Sequence, residues 1–156
     1  MNELLARLTG LPVRDHTQTN RTLDSSPETF PLTRTIYVDL SHDNTLVAIF
    51  SALGLFRQPK PLDPKVPNPA RTWVVARMVP FSGRMTVEKV ICGVEGELAR
   101  KENVRILIND AIQPLRFCGA ADDGLCLLSS FTRSQGYARR DGEGDFEKCL
   151  IGLHAQ

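Results

Sequence analysis

Residues 35–44 have the sequence TIYVDLSHDN, and this stretch connects a predicted strand to a predicted helix. The β-branched, aromatic and apolar residues at 36–40 predict a short, largely buried strand. From 45 to 53 apolar residues recur at three- and four-residue spacing, and Gly54 predicts the end of a helix. The polar residues 41–44 therefore lie between strand and helix, where α/β sheets commonly carry a site.

Two interpretations of His42 and Asp43 are open from the pattern alone. Asp43 or Asn44 could cap the helix by accepting hydrogen bonds from its first amides, with His42 a loop residue. Alternatively, the imidazole and the carboxylate form part of a site, because the start of a helix offers free N–H groups to an anion. A His-Asp pair by itself is a weak signal and does not decide between them.

Longer stretches around this pair give the sequence a family resemblance. The chain resembles the C-terminal part of the histidine acid phosphatases, most closely the secreted fungal 3-phytases. The resemblance covers nearly the whole chain, and its motifs are specific. They are TLDSSPETFPLTRTIYVDLSHDN at 22–44, LVAIFSALGLF at 46–56, VPFSGRMTVEKVIC at 79–92, VRILINDAIQPLRFC at 104–118 and FEKC at 146–149.

The resemblance implies an α/β fold with an incomplete phosphoglycerate-mutase-like sheet and antiparallel hairpins. Residues 1–156 would form the C-terminal part of a histidine acid phosphatase domain. Within it, residues 1–34 would be a helix end and an irregular connection, residues 35–54 the strand, His-Asp pair and helix, and residues 71–150 the hairpins and a C-terminal helix.

The residue patterns predict the two hairpins. Apolar runs at 73–79 and 84–91 flank a turn with proline and glycine, which favours an antiparallel pair. Residues 104–108 and 111–115 flank the turn signal Asn109-Asp110 and predict a second pair.

Other segments are predicted from composition and spacing. Residues 1–9 carry leucines on one face and predict a helix that Gly10 ends. Five prolines within 58–70 exclude a helix or a central strand, so this segment is predicted to be a surface excursion. Residues 127–137 have helical spacing.

The resemblance also implies a reaction. In this family a phosphate monoester is hydrolysed through a phosphohistidine, and the nucleophilic histidine lies in an R-H-G-x-R-x-P motif. Residue by residue, His42 would contact the phosphate, Asp43 would donate a proton to the leaving alkoxide, and Asn44 would contact the substrate. The implied activity is that of an acid phosphatase or phytase, converting phytate to lower inositol phosphates.

The sequence departs from the family pattern at the nucleophile. It has three histidines, His16, His42 and His154, and none lies in an R-H-G context. We therefore expect the chain to correspond to about the last third of a larger enzyme, to need the N-terminal part as a partner, and to be inactive alone. The alternative is a non-catalytic remnant or a weak phosphate-binding module.

Cysteines and a sequon suit a secreted glycoprotein. The resemblance implies a disulfide between Cys118 and Cys126, and it implies that Cys92 and Cys149 pair with cysteines of the missing N-terminal part. In this chain alone, Cys92 and Cys149 are expected to be either free or joined to each other. Asn20-Arg-Thr is an N-glycosylation sequon in a polar stretch. The first ten residues lack the pattern of a signal peptide, so the chain as written is not expected to be exported.

Composition excludes several other functions. Nineteen basic and eighteen acidic residues give a net charge of +1, with no block of like charges that would indicate nucleic acid or an acidic membrane face. The cysteines form no Cys-x-x-Cys pair, so a metal site is not expected, and no cofactor is expected.

Overall fold

The structure is a computed structural model that describes residues 1–17, 20–93 and 101–148. The chain divides into two compact units, one made of Met1–Val38 and the chain from Thr132 onward, the other of Asp39–Phe131. The helices are α1 (Asn2–Thr9), α2 (Arg21–Asp24), α3 (Asp43–Leu53), α4 (Val75–Met78), α5 (Leu128–Ser134), α6 (Gly136–Arg139) and α7 (Asp145–Lys148). The strands are β1 (Met85–Cys92), β2 (Lys101–Ile108), β3 (Ala111–Ile112) and β4 (Cys126–Leu127).

The four strands form one open antiparallel sheet around β2. Strand β1 pairs with β2 along its whole length, from Met85 opposite Ile108 to Cys92 opposite Lys101. On the other side of β2, β3 pairs near its end and β4 nearer its start. Helices together with an open antiparallel sheet confirm the predicted class of an incomplete α/β domain.

One face of β2 supplies the core of the second unit. Val104, Ile106 and Ile108 alternate along the strand and are almost fully buried, at 0, 0 and 3% exposure. Burying a side chain of this size contributes about 1.5–3 kcal/mol. On the other face Arg105 donates to Glu88 at 2.6 Å, and this half-exposed pair contributes about 0–1 kcal/mol.

The predicted pairing of 73–79 with 84–91 is wrong. The first segment instead contains α4, in which the N–H of Met78 donates to the carbonyl of Val74 at 3.1 Å and that of Val79 to Val75 at 2.9 Å. These local bonds satisfy the backbone without a neighbouring strand.

The second hairpin is confirmed in its turn and shortened in its second strand. Asn109 and Asp110 both have positive φ, 49° and 67°, as a tight two-residue hairpin turn requires. Strand β3 ends at Ile112, and the N–H of Gln113 adds one more bond to the carbonyl of Ile106 at 2.8 Å before β4 pairs with β2 at Val104.

Asn109 also fastens the loop that precedes the sheet. Its side-chain oxygen accepts from the N–H of Arg84 at 3.0 Å, and its amide donates to the carbonyls of Arg77 and Met78, both at 3.1 Å. Arg84 in turn donates through Nε to Asp110 at 3.1 Å. One turn residue therefore holds both ends of the segment between α4 and β1.

The predicted strand at 36–40 is not a strand in the structure. No strand within the described ranges pairs with it, and a strand exists only through hydrogen bonds to a neighbour. Its alternating apolar residues are exposed rather than buried: Ile36 and Val38 are each 78% exposed and Leu40 is 96% exposed. We refer to residues 36–40 as the exposed apolar segment.

In the first unit, α1 forms as predicted. Leu5, Ala6 and Leu8 are buried, and Gly10 ends the helix in the left-handed conformation at φ 72°. The guanidinium of Arg7 lies 5.1 Å from the ring centre of Phe30 and 5.0 Å from that of Tyr37, which places it in two cation–π contacts. The helical prediction at 127–137 is also confirmed, as α5 followed by the short α6.

The predicted disulfide between Cys118 and Cys126 is present, with Cα atoms 6.1 Å apart. It closes the loop before β4. A Cβ added to Gly124 would lie 2.3 Å from the side chain of Ile112, and its φ is +71°, so only glycine fits there. Cys92 is a free, half-buried thiol, whereas Cys149 lies outside the described residues.

We expect non-reducing peptide mapping to recover Cys118 linked to Cys126 and a thiol probe to label Cys92. Replacing both linked cysteines by alanine should destabilise the fold by about 2.5 kcal/mol, because a short closed loop restricts the unfolded chain. The measurement is the thermal unfolding temperature, with Cys92→Ala as the control that keeps the bond. A peptide linking Cys92 to Cys118 would contradict the assignment.

We expect the isolated chain to self-associate through the exposed apolar segment, since exposed, alternating apolar side chains favour association with other chains. Light scattering coupled to size-exclusion chromatography should show larger species, and Val38→Lys should reduce them. Thr33→Lys adds the same charge at an exposed position outside the segment and should not reduce them. A soluble monomer with a sharp, reversible unfolding transition would disprove this expectation.

Candidate functional site

Helix α3 positions the predicted site residues at its first turn. The helix forms because Phe50 and Leu53 are buried on one face, at 0 and 1% exposure. It ends at Gly54, φ 78°, where the N–H of Leu55 donates to the carbonyl of Phe50 at 2.9 Å and that of Gly54 to Ser51 at 3.0 Å. These two bonds form a Schellman motif, so the helix is fixed at its C-terminal end.

His42, Asp43 and Asn44 are consecutive and exposed at the N-terminal end of α3. His42 is the N-cap residue in an extended conformation, and its carbonyl accepts the first helical bond from Leu46 at 3.0 Å. Its imidazole makes no capping hydrogen bond. The structure therefore presents the ring to solvent beside the helix start.

The two polar residues after His42 bond locally. The carboxylate of Asp43 accepts from the N–H of Asn44 at 2.8 Å, and the side-chain oxygen of Asn44 accepts from the N–H of Thr45 at 2.8 Å. The capping interpretation is thus supported in part, because the side chains of Asp43 and Asn44 each accept a hydrogen bond from a backbone N–H of the first turn. A carboxylate in this turn also interacts favourably with the helix dipole.

This arrangement has a definite chemical capacity. An exposed imidazole and an exposed carboxylate on adjacent residues can contact an anion and exchange a proton with solvent or ligand. The roles of His42, Asp43 and Asn44 in a reaction stay predictions, because these contacts are internal to the helix start.

The other two histidines lie elsewhere in the sequence. His16 is exposed, and its Nδ1 lies 2.9 Å from a carboxylate oxygen of Asp141, while its backbone N–H donates to the other oxygen at 2.9 Å. This double contact fastens the loop after α1 to the turn before α7 within the first unit. His154 lies outside the described residues.

The same unit carries a cluster of titratable groups near α7. Asp145 accepts from Lys148 at 2.6 Å and from the hydroxyl of Tyr137 at 3.0 Å. The bond from Lys148, followed by that from Tyr137, lowers the pKa of Asp145. The same contacts raise the pKa of Lys148 and of Tyr137, each chiefly through its hydrogen bond to Asp145. The cluster is solvent-exposed and stabilises the C-terminal turns.

Neither a metal centre nor a membrane span is found in the described ranges. No three histidine, cysteine, aspartate or glutamate side chains there come together in a way that could hold a metal ion. No helix among these residues is long and apolar enough to cross a bilayer.

Sequence reasoning missed a cleft at the opposite end of α3. The proline-rich segment 58–70 indicates only a surface excursion, yet its first residues and Trp73 line an open cleft. The available signal was that two basic residues, Arg57 and Lys60, lie around the first proline, and that the chain's sole tryptophan follows the last one.

Comparison with known proteins connects the His42–Asp43 segment to a family. The model of the histidine phosphatase superfamily (branch 2) matches residues 1–109, which include α3 and its first turn.

Curated relatives extend the match to nearly the whole chain. A phytase A from Arthroderma benhamiae is 43% identical over 148 residues, which is 93% of this chain and 32% of the relative. A phytase A from Penicillium oxalicum is 44% identical over 155 residues, 97% of this chain and 32% of the relative. A phytase A from Aspergillus oryzae is 44% identical over 144 residues, 90% of this chain and 30% of the relative.

The chain thus spans about a third of the length of these relatives. The family model covers well over half of the chain, including the His-Asp segment at the start of α3. On these grounds the chain belongs to the histidine phosphatase superfamily, branch 2.

Proposed function

We propose that this chain is the C-terminal part of a phosphate-monoester hydrolase of the acid phosphatase and phytase type, which converts phytate to lower inositol phosphates. The observation that carries the proposal is the exposed His42–Asp43 pair at the first turn of α3, inside the segment that the family model matches. The names and identities of the phytase A relatives support the substrate class.

In this proposal His42 contacts the phosphate. Its ring makes no capping bond to the helix, so it is available to a ligand. The start of an eleven-residue helix adds a favourable electrostatic environment for a negatively charged group. Asn44, one residue further along, contributes a polar contact to the same substrate.

Asp43 acts as the proton donor. A histidine from the N-terminal part of the enzyme attacks phosphorus, the P–O bond to the alcohol breaks, and a proton passes from the Asp43 carboxyl to the leaving alkoxide oxygen. Water then attacks the phosphohistidine, its proton passes to the Asp43 carboxylate, the P–N bond breaks and orthophosphate leaves. An alkoxide is a poor leaving group, so a correctly placed acid accelerates such a step by about 10²–10⁴-fold.

The partner required by this reaction is the N-terminal part of the same enzyme. No histidine of the 156 residues lies in an R-H-G context, and the relatives are about three times as long as the matched segment. The nucleophile is therefore assigned to the part of the enzyme that this chain does not span.

We expect the purified chain alone to hydrolyse neither phytate nor 4-nitrophenyl phosphate above background in acid. Co-expression with the N-terminal two thirds of the Penicillium oxalicum phytase A should restore turnover of both. Asp43→Asn in that complex should lower kcat on phytate by about 10²-fold or more. Its effect on 4-nitrophenyl phosphate should be much smaller, because nitrophenolate leaves without protonation. Steady-state kinetics on the two substrates make the comparison.

Asp122→Asn is the matched control, since Asp122 is an exposed carboxylate in the disulfide-closed loop. It should leave the kinetics on both substrates unchanged. Turnover by the chain alone that disappears in His42→Ala or Asp43→Asn would overturn the assignment of the nucleophile to the N-terminal part. It would favour an independent catalytic unit.

We also propose that the protein is secreted and glycosylated at Asn20. Disulfides such as Cys118–Cys126 persist mainly in oxidising compartments. Asn20 is exposed, and its side-chain oxygen caps α2 by accepting from the N–H groups of Thr22 at 3.2 Å and Leu23 at 3.4 Å. The cap uses the oxygen of the amide, which leaves the nitrogen available to a glycan.

Expression through a fungal secretory pathway should therefore give a mass increase that an endoglycosidase removes. Asn20→Asp should abolish the increase while keeping the cap, because aspartate is an equally good N-cap residue. Thr22→Val should abolish it by destroying the sequon instead. Mass spectrometry of the intact protein is the readout. An unchanged, enzyme-sensitive mass in Asn20→Asp would rule this site out.

A further inference from the structure

A cleft of about 720 Å³ opens beside the C-terminal end of α3, within the second unit. Its lining includes Gly54, Leu55, Arg57, Lys60, Leu62 and Trp73. Leu55 is buried at 4% exposure and Trp73 is half-buried, so the interior is apolar and aromatic. Arg57 and Lys60 are exposed at its edge.

Hydrogen bonds hold the two sides of the cleft together. The side-chain oxygen of Gln58 accepts from the N–H of Thr72 at 2.9 Å, from its hydroxyl at 2.9 Å and from the N–H of Trp73 at 3.3 Å. The hydroxyl of Thr72 also lies within bonding distance of the carbonyls of Phe56 and Arg57. These bonds hold the backbone of Thr72 and Trp73 against the segment that carries Arg57 and Lys60.

The charged side chains that line the cleft, Arg57 and Lys60, are both basic. No carboxylate lies among the described residues that line it, and neither Arg57 nor Lys60 forms a salt bridge in the described ranges. Two unpaired cations next to an aromatic face suit an anion carried on a ring. The guanidinium can bind phosphate oxygens through two parallel bonds, while the apolar face of a cyclic polyol packs on the indole.

A purely structural role for the cations is the competing explanation. Basic residues after a helix interact favourably with the negative end of its dipole, and both residues follow α3. This explanation accounts for the charges but not for the indole or for the bonds that hold Gln58 against Trp73.

We propose that this cleft is a second binding site for phosphorylated ring polyols, separate from the His42–Asp43 segment. The class of ligand rests on the proposed function, whereas the existence of the cleft does not. Helix α3 connects the two sites, and its eleven residues separate them by about 16 Å. A single phosphate group therefore cannot occupy both sites at once. The role of the cleft in this proposal is to retain substrate or product near the His42 end of α3.

Trp73 is the sole tryptophan in the sequence, so binding can be followed by its fluorescence without interference. The full 156-residue chain, fused to a tryptophan-free solubility tag, is titrated with myo-inositol hexakisphosphate, myo-inositol or inorganic phosphate. We expect saturable quenching by the hexakisphosphate, at least tenfold weaker binding of inorganic phosphate, and no quenching by myo-inositol at the same concentrations.

Arg57→Gln combined with Lys60→Gln should weaken hexakisphosphate binding at least tenfold without moving the emission maximum, which reports the fold around Trp73. Lys65→Gln removes an exposed charge from the same segment outside the cleft and should leave the affinity unchanged. His42→Ala with Asp43→Asn should also leave it unchanged, since the quenching arises at the other end of α3.

Four results would overturn the proposal. They are an absence of saturable quenching, unchanged affinity in the Arg57 and Lys60 double variant, equal binding of myo-inositol, and an emission maximum typical of a fully exposed indole. Unchanged affinity in the double variant would leave the cations only their role at the helix end. If the chain co-expressed with the N-terminal part of the phytase A shows no phosphatase activity but the cleft binds the hexakisphosphate as expected, the proposed function is wrong. The proposal of a binding site in the cleft is then still supported.

Discussion

The structure of the second unit depends on the backbone hydrogen bonds of β2. This strand pairs with each of the other three strands, and its residues Val104, Ile106 and Ile108 form the buried face of the sheet. Because side chains alternate along a strand, a shift of one residue in the β1–β2 register would expose all three. The turn at Asn109 and Asp110 sets the β2–β3 register, and the bonds between Asn109 and Arg84 hold the start of β1 opposite Ile108.

Local patterns predicted the elements whose stability is local. Helices α1 and α3 were predictable because an apolar face and a terminal glycine lie within about ten residues. The Asn109-Asp110 turn was predictable for the same reason. The partner of β1 was not predictable, because apolar runs on either side of a turn are compatible with strand pairing but do not require it. The backbone between residues 73 and 79 instead forms hydrogen bonds within a short helix. The same holds for residues 36–40. Alternating apolar residues predict which side chains share a face of a strand, but they do not predict which strand pairs with it.

The candidate site divides in a similar way. The positions of His42 and Asp43 at a helix start followed from spacing, and their chemical roles came from family resemblance, which the family match supports at the level of the superfamily. Only composition pointed to the cleft at Trp73, because its shape depends on bonds between Gln58 and residues fourteen and fifteen positions away. Contacts at that distance in sequence leave no periodic signal.

The side chain of Asn109 makes the sheet sensitive to chemical ageing. Its amide nitrogen donates to two main-chain carbonyl oxygens, and its oxygen accepts from a third backbone group. Spontaneous deamidation would replace the donor with a carboxylate oxygen, which would face the same two carbonyls with negative charge against negative dipole. A change of one atom, with no change in the encoded sequence, would thus release the segment between α4 and β1 from the hairpin. The attachment of this segment to the sheet therefore depends on the amide nitrogen of a single turn residue.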